Sequence, residues 1–580
     1  VTSLEVALRL LLMEAGLILL VGLLGSGLAA LVPGKVPPAA RVALAPAMGL
    51  AAGFALMLTA SQFMSMSVGA FAVLVPLTVL SAAFAAVRAR RCSPARRSSP
   101  SSHVLCLALA VSIPLAIFSA PLIEQRSLGP GAYLVSDAAQ YADFNDHLEH
   151  NSWRDERFGL GKGQDRFVHD FLASPIFQTG TIPFAAALNA TFGWRAIDAQ
   201  SALMIALVGI GALGCFALVL TATGSAWAGL AAAALYAGPV NYQLFIDGSE
   251  AALAALAMLG PVAIVGSRLL RAPVRASALF GLLVGGMITV YPAFLPVVAV
   301  AFALAMAIHF IRRRRVASLR TVLISSAVVA MAVVVFAPVS LAKNASYASA
   351  VSRGELDEPA DEAVWREPIV FAAFGKRIQP PPQKETFPDF LPPAETAVAW
   401  VTQSRERYDL PPLEEVSPLN AAILGIVLPA GVVALAAIGA LRWRSWAFLL
   451  LAVAVSLALA YYAYHTQDCS YCGQRALLAI PPVLAVLASC GLVATAAWVG
   501  ARRGFRDGAI VAVTAGLLLV GAAFYNDHAL ARKLLAGGYL FGAEARGVVD
   551  ATSGKVLIEG ASAGNSYTSY FESNLLPLAI

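Results

Sequence analysis

Ala196-Ile-Asp-Ala-Gln-Ser-Ala-Leu-Met-Ile-Ala-Leu-Val-Gly-Ile-Gly-Ala-Leu-Gly-Cys-Phe-Ala-Leu-Val-Leu-Thr221 decides how the chain is read. Past Gln200 the stretch holds no Asp, Glu, His, Lys or Arg and no amide side chain. A helix of about 20 predominantly apolar residues crosses the hydrocarbon core of a bilayer, and this run is long enough to do so. Comparable runs lie on both sides of it. The spans expected on that basis are 10–32, 42–61, 66–87, 103–122, 196–221, 226–244, 250–270, 276–291, 293–311, 319–341, 419–441, 445–464, 476–499 and 508–525. Residues 175–193 are apolar but interrupted by Gly180, Pro183 and Gly193, which reads as a re-entrant or interfacial segment. The expected fold class is an all-α polytopic membrane protein with about fourteen transmembrane helices.

Composition agrees. Of 580 residues, 59% are hydrophobic and only 13% charged, and the mean hydropathy is +0.74. Soluble globular chains run at about 25% charged residues, so this one lacks the polar groups to cover a surface of its size. The shortage is not that of a disordered chain, in which hydrophobicity is low. The net charge of +6 does not point to nucleic acid, because the basic residues sit in short clusters between apolar runs. Val1, with Glu5, Arg9 and Glu14 inside the first helix, reads as a retained anchor rather than a cleaved signal peptide. A valine start and abundant alanine suit a bacterial gene of high GC content.

Sidedness follows from the clusters. With the Arg88-Ala-Arg-Arg91 loop placed in the cytoplasm, alternation brings Lys35, Arg41, Arg268, Arg271, Arg275, Arg312–Arg315, Arg442, Arg444, Arg502, Arg503 and Arg506 to the same side. That is the asymmetry of the positive-inside rule. The long polar segments 124–195 and 342–418 and the tail 526–580 then face outward, on the plasma membrane of a bacterium. The domain division is a transmembrane region 1–525 and a tail 526–580 whose Gly554-Lys-Val-Leu-Ile-Glu-Gly560 has the look of a strand with turns.

The outward face carries the groups fit for chemistry. In Tyr133-Leu-Val-Ser-Asp-Ala-Ala-Gln-Tyr-Ala-Asp-Phe-Asn-Asp-His-Leu148, Asp137, Tyr141, Phe144 and Leu148 recur at helical spacing. A short interfacial helix is expected, capped by Ser136, with Asp137 at its positive end and Asp143 and Asp146 on one face. Solvated acids on an amphipathic helix are the plainer alternative. Arg475, after Cys472-Gly-Gln474 at the outer start of a span, is placed to hold a phosphate bidentately or to snorkel at the interface; Lys343 is the second candidate. Asp247 and Glu250 flank a turn and are candidates for sugar or divalent-cation (Mg or Mn) binding, or else solvated turn residues and a helix cap. Tyr291, before Pro292 at the apex of a hairpin of spans, is a candidate sugar contact or an interface anchor. Of His465, Cys469 and Cys472, the two cysteines suit a disulfide outside the cytoplasm, and a zinc site would want a fourth ligand. No nucleotide-binding glycine fingerprint is present.

The Ser136-Asp137…Tyr141 segment directly after a span, in a chain with many spans and large outward loops, resembles the GT-C family of integral-membrane glycosyltransferases. The resemblance covers about 1–525 as architecture. Several branches carry paired acids at this place, whereas Asp137 stands alone. It implies a polyprenyl-phosphate sugar as donor, a cell-envelope glycan or lipid as acceptor, membrane lipids as surroundings and Asp137 as catalytic base. Asp143, Asp146 and Tyr141 would orient the acceptor or a metal, and Arg475 or Lys343 would hold the donor phosphate. In an actinobacterial host, arabinofuranose or mannose is the sugar the resemblance suggests. The rival classes are a transporter or lipid flippase, which would place ionisable residues inside the bilayer, and a noncatalytic scaffold that binds envelope glycans.

Overall fold

The structure is a computed structural model. It describes residues 2–91, 101–153 (except 125, 127 and 129–135), 180–352 (except 247 and 314–315), 428–466 (except 444–447), 478–504 and scattered positions between 506 and 516. Among these residues every regular element is a helix.

In chain order the helices are α1 (Ser3–Leu31), α2 (Pro38–Ser61), α3 (Met66–Arg90), α4 (Ser101–Glu124), α5 (Ser136–His150), α6 (Ile182–Phe192), α7 (Ala196–Thr223), α8 (Ala226–Tyr236) and α9 (Pro239–Ile246). They continue with α10 (Glu250–Ala257), α11 (Leu259–Gly266), α12 (Pro273–Val290), α13 (Leu295–Arg313), α14 (Val316–Phe336), α15 (Pro338–Ser352), α16 (Leu428–Arg442), α17 (Phe448–Thr466) and α18 (Ile480–Arg503).

Eight of the described helices are long and apolar enough to cross a membrane: α1 to α4, α7, α12, α14 and α18. Each coincides with an expected span. The expected spans 226–244 and 250–270 are each divided between two short helices, α8 and α9, and α10 and α11; those at 293–311, 419–441 and 445–464 overlap shorter apolar helices, and most of 508–525 lies outside the described residues, as does the tail 526–580. The apolar faces of α3 and α14 point out of the bundle, exposing Phe71, Val79, Leu80, Leu323, Met331, Val334 and Val335. Such a surface is wetted by lipid, not water. The chain is an all-α membrane protein.

Helix α7 is the axis of the bundle. It is enclosed on all sides and packs on α1, α2, α4, α8, α10, α11 and α18. In lipid, burial of apolar surface does not drive one helix onto another, so close backbone approach and van der Waals contact do that work. Small residues at the crossings reflect this. At the α1–α2 crossing a Cβ on Gly25 would strike the Ala45 carbonyl oxygen, and one on Gly49 would strike that of Val21. The same device joins α16 to α18 through Gly439 and Gly491.

Two departures from the expected segmentation bear on function. The expected span 319–341 stops at Phe336, and a separate helix starts at Pro338. Proline has no N–H to continue the ladder but fits the first position of a new helix. Lys343 therefore sits on α15 rather than in an open loop. The 175–193 segment yields α6, whose 11 residues span about 16 Å at 1.5 Å per residue, too short for a crossing. Its residues 182–189 are buried, and Phe184 meets Phe54 of α2 edge-on with ring centroids 5.2 Å apart.

Replacing Gly49 with valine should force α1 from α2 and cost roughly 1–3 kcal/mol, the usual penalty of overpacking. Gly431→Ala, at a position with open space around it, should cost nothing. Thermal unfolding of both variants in detergent measures the difference, and equal melting temperatures would refute this account of the crossing.

Candidate functional site

Helix α5 is the element to build from. Its Tyr141, Ala142, Phe144, Asn145 and Leu148 are buried, while Asp146 and His150 are exposed. The three- and four-residue spacing of the first set forms one face, which packs on α6 and α7. The helix begins at Ser136 itself, a residue earlier than a Ser136 cap would give, and Asp137 is its second residue. The side chains at 136–140 and at 143 lie outside the described residues. Asp137 and Asp143 are thus placed by their helix, and Tyr141 is part of the packed face.

Besides apolar contact, a chain of buried polar groups ties α5 to the bundle. Asn145 donates through Nδ2 to Oε1 of Gln200 on α7, at 3.1 Å. Gln200 in turn donates through Nε2 to Oε2 of Glu250, the first residue of α10. All three side chains are buried. The Thr181 hydroxyl lies against the same carboxylate without closing a hydrogen bond of good geometry, and Glu250 Oε1 has no partner. Next to this chain is a cavity of about 10 Å³ lined by Asn145, Asn189, Gln200, Trp194 and apolar residues of α1, α6 and α7. Asn145 Oδ1 and Asn189 Nδ2 are both unpartnered, and a single water in that space would serve them.

Sequence reasoning left Glu250 as a sugar or cation ligand or a solvated turn residue. It is fully buried, and Ser249 holds the N-cap position. The turn before it closes through Gly248, at φ +65°, and the bond from Ser249 N–H to Leu244 C=O at 2.8 Å. Burial of the carboxylate is tolerable because Gln200 approaches from another helix. Tyr291 is also buried, its ring 5.3 Å from that of Phe294.

Several elements end beside α5. The N–H of Trp153, just past α5, donates to the Ser61 carbonyl at the end of α2, at 2.7 Å. The Lys343 Nζ lies over the Trp153 ring, 5.4 Å from its centroid. Burial pushes the Lys343 ammonium down from the usual lysine value to about 8. The first turn of α15 is fixed to the end of α12, with Ser340 Oγ donating to Thr289 Oγ1 at 2.9 Å. The backbone at Gly180, ahead of α6, presses on the Thr289 carbonyl so closely that a side chain there has no room. The structure thus brings Lys343 to the C-terminal end of α5.

On the outer side of α5, Asp146, Glu149 and His150 hold their ligand atoms within 4.8 Å of one another. Two carboxylate oxygens and an imidazole nitrogen suit Mn more than Mg, which prefers oxygen alone. Burial, with Asp146 nearby, raises the Glu149 carboxyl above its usual range while His150 opposes the rise. Sequence reading found Asp146 but not its neighbours, although the i, i+3, i+4 spacing was there to see. Gln200, Asn145, Thr181 and Trp153 were also missed, and no local pattern marks them. Asp247, Cys469, Cys472 and Arg475 lie outside the described residues.

Gln200→Leu should leave both Asn145 and Glu250 buried without a partner, at about 1–3 kcal/mol for each group. Glu250→Gln keeps shape and an acceptor oxygen and should cost far less. Thermal unfolding, with hydrogen exchange of the α5 amides, tests this; similar losses in the two variants would show that the polar chain does not hold α5. No family model and no curated protein matches the chain.

Proposed function

We propose that the chain is a membrane glycosyltransferase of the GT-C kind, with about fourteen crossings. It moves a sugar from a polyprenyl-phosphate donor to a cell-envelope glycan or lipid acceptor on the extracytoplasmic face of a bacterial plasma membrane. The observation that carries this reading is α5. It is an amphipathic helix that brings Asp137 within one residue of its start, is fastened to the bundle by a buried polar chain and has a lysine beside its far end.

The chemistry asks for few groups. A glycosidase needs an acid to protonate a poor leaving group as well as a second carboxylate. A lipid phosphate leaves unaided, so one base suffices to take the proton of the acceptor hydroxyl as its oxygen attacks the anomeric carbon. The bond to the phosphate oxygen breaks and its electron pair departs with the phosphate. Asp137 is the base in this scheme, and Arg475 meets the phosphate charge, with Lys343 as the second candidate. A divalent cation at Asp146, Glu149 and His150 would add positive charge on the same helix. Asp143 and Tyr141 remain the candidates for orienting the acceptor.

A second reading, transport, is favoured by one observation. Glu14 of α1 is buried, accepting a hydrogen bond from Ser119 Oγ of α4 at 2.8 Å, and carboxylates within spans often mark transport paths.

Membranes carrying the protein should transfer sugar from one of a panel of radiolabelled polyprenyl-phosphate sugars. Asp137→Asn should lower that rate by about 10²–10⁴-fold, the range for a lost general base. A folded Asp137→Asn protein that still transfers at the normal rate sinks the assignment. No transfer from any donor, in a panel validated with a known enzyme, moves the reading to transport.

The donor phosphate should also show a pH dependence of definite sign. Lys343 is cationic below about pH 8, so the donor KM should be flat below that pH and rise above it. Lys343→Met should raise the donor KM roughly tenfold at pH 7, as for one lost charged hydrogen bond, and should flatten the profile. An unaltered profile in the variant would free Lys343 of this role.

A further inference from the structure

The opposite end of α2 from Ser61 gathers arginines. Arg41, in the first turn of α2, sends Nη1 to the Ala30 carbonyl and Nη2 to that of Gly34, both at 3.2 Å, and Nε to Val36 at 3.4 Å. Arg275, in the first turn of α12, reaches the same Ala30 carbonyl through Nη2 at 3.3 Å. Arg268, just past α11, places Nη2 3.5 Å from the Lys35 carbonyl. Its guanidinium fills the space over Gly34, where a Cβ would lie 2.8 Å from Nη1. Arg275 also faces Arg88 at the end of α3.

The charges do not balance. The C-terminus of α1, with its exposed carbonyls, offers the equivalent of about half a negative charge, against the guanidinium groups of Arg88, Arg268 and Arg275. Between described residues the one ion pair is Arg9–Glu5, at the other end of α1. Arg268 and Arg275 each commit one nitrogen to a carbonyl, and their Nε–H groups find no acceptor among the described residues. Three like charges gathered beside Arg41 call for an anion.

Position says which kind. Arg41 and Arg275 lie in the first turns of two helices that can cross a membrane, the depth at which headgroup phosphates meet the hydrocarbon. Each is followed or preceded by a valine, Val42 and Val274, that stands exposed on its helix at 61% and 62%. Guanidinium groups beside apolar surface suit a molecule with a phosphate at one end and an acyl chain at the other. A free phosphate has no use for the valines, and a choline headgroup would set its own cation among the arginines.

We propose that Arg268, Arg275 and Arg88, steadied by Arg41, bind the phosphodiester headgroup of an anionic phospholipid, whose acyl chain runs along α2 and α12. The site is independent of the glycosyl-transfer reading. Bidentate arginine contacts fix the phosphate, and the lipid completes the charge of the seam between α1, α2, α3 and α12.

The test uses the full chain in nanodiscs of phosphatidylcholine, with and without phosphatidylglycerol. The wild type should melt at a higher temperature when phosphatidylglycerol is present and should retain it in native mass spectra after delipidation. Arg268→Gln/Arg275→Gln should weaken its retention at least tenfold, while Arg9→Gln, at the other end, leaves it unchanged. Should the double variant fail to fold, Arg88→Gln decides, since no backbone carbonyl depends on it; it should lose several-fold. Equal retention by wild type and variants overturns the proposal. So does equal retention of phosphatidylcholine, or inorganic phosphate that stabilises the protein in phosphatidylcholine as well as phosphatidylglycerol does.

Discussion

Inside a bilayer there is no water to accept a stray hydrogen bond, and each unpaired polar group costs several kcal/mol. The architecture follows from that cost. Main-chain groups are satisfied within helices, helices meet through glycine where backbone must touch backbone, and several polar side chains are joined across helices, as in Asn145–Gln200–Glu250 and Ser119–Glu14. Ser81 shows the economy on a small scale: its Oγ donates to the Leu24 carbonyl at 2.6 Å and accepts the Gly27 N–H at 3.0 Å, pinning α3 to α1.

The same constraint separates the two ends of the molecule. At one end of α2, guanidinium groups wrap the last carbonyls of α1. At the other, the terminus of α2 receives Trp153, and α6, α12 and α15 pack on α2. The polar chain Asn145–Gln200–Glu250 lies just beneath this second end. Three helices that are distant in sequence are held by it in one arrangement, so a carboxylate carried on α5 keeps a set position relative to the bundle. A base that must meet an incoming hydroxyl within about 3 Å needs that kind of support.

Much of this was open to sequence reading where the signal is local. Helix α5 is visible from Tyr141, Phe144 and Leu148, because helical periodicity needs only neighbours along the chain. The short α6 follows from Gly180, Pro183 and Gly193. Glu250 was misread as a surface residue because its solvation depends on Gln200, fifty positions away. The break at Pro338 was passed over because hydropathy averages across a proline that restarts a helix. Lys343 was a reasonable choice from its place at a span end, yet its neighbour Trp153 belongs to another part of the chain.

The sequence by itself determined that this is an all-α membrane protein, because apolar runs of bilayer length leave the backbone no other way to satisfy itself in lipid. It also determined that a helix with one apolar face follows α4. Only the tertiary structure decided which buried polar groups meet, that α7 is the axis, and that arginines from two separate segments converge on the last turn of α1. Those outcomes depend on contacts between helices, and such contacts are set by the shapes of whole surfaces, which no run of residues in one segment records.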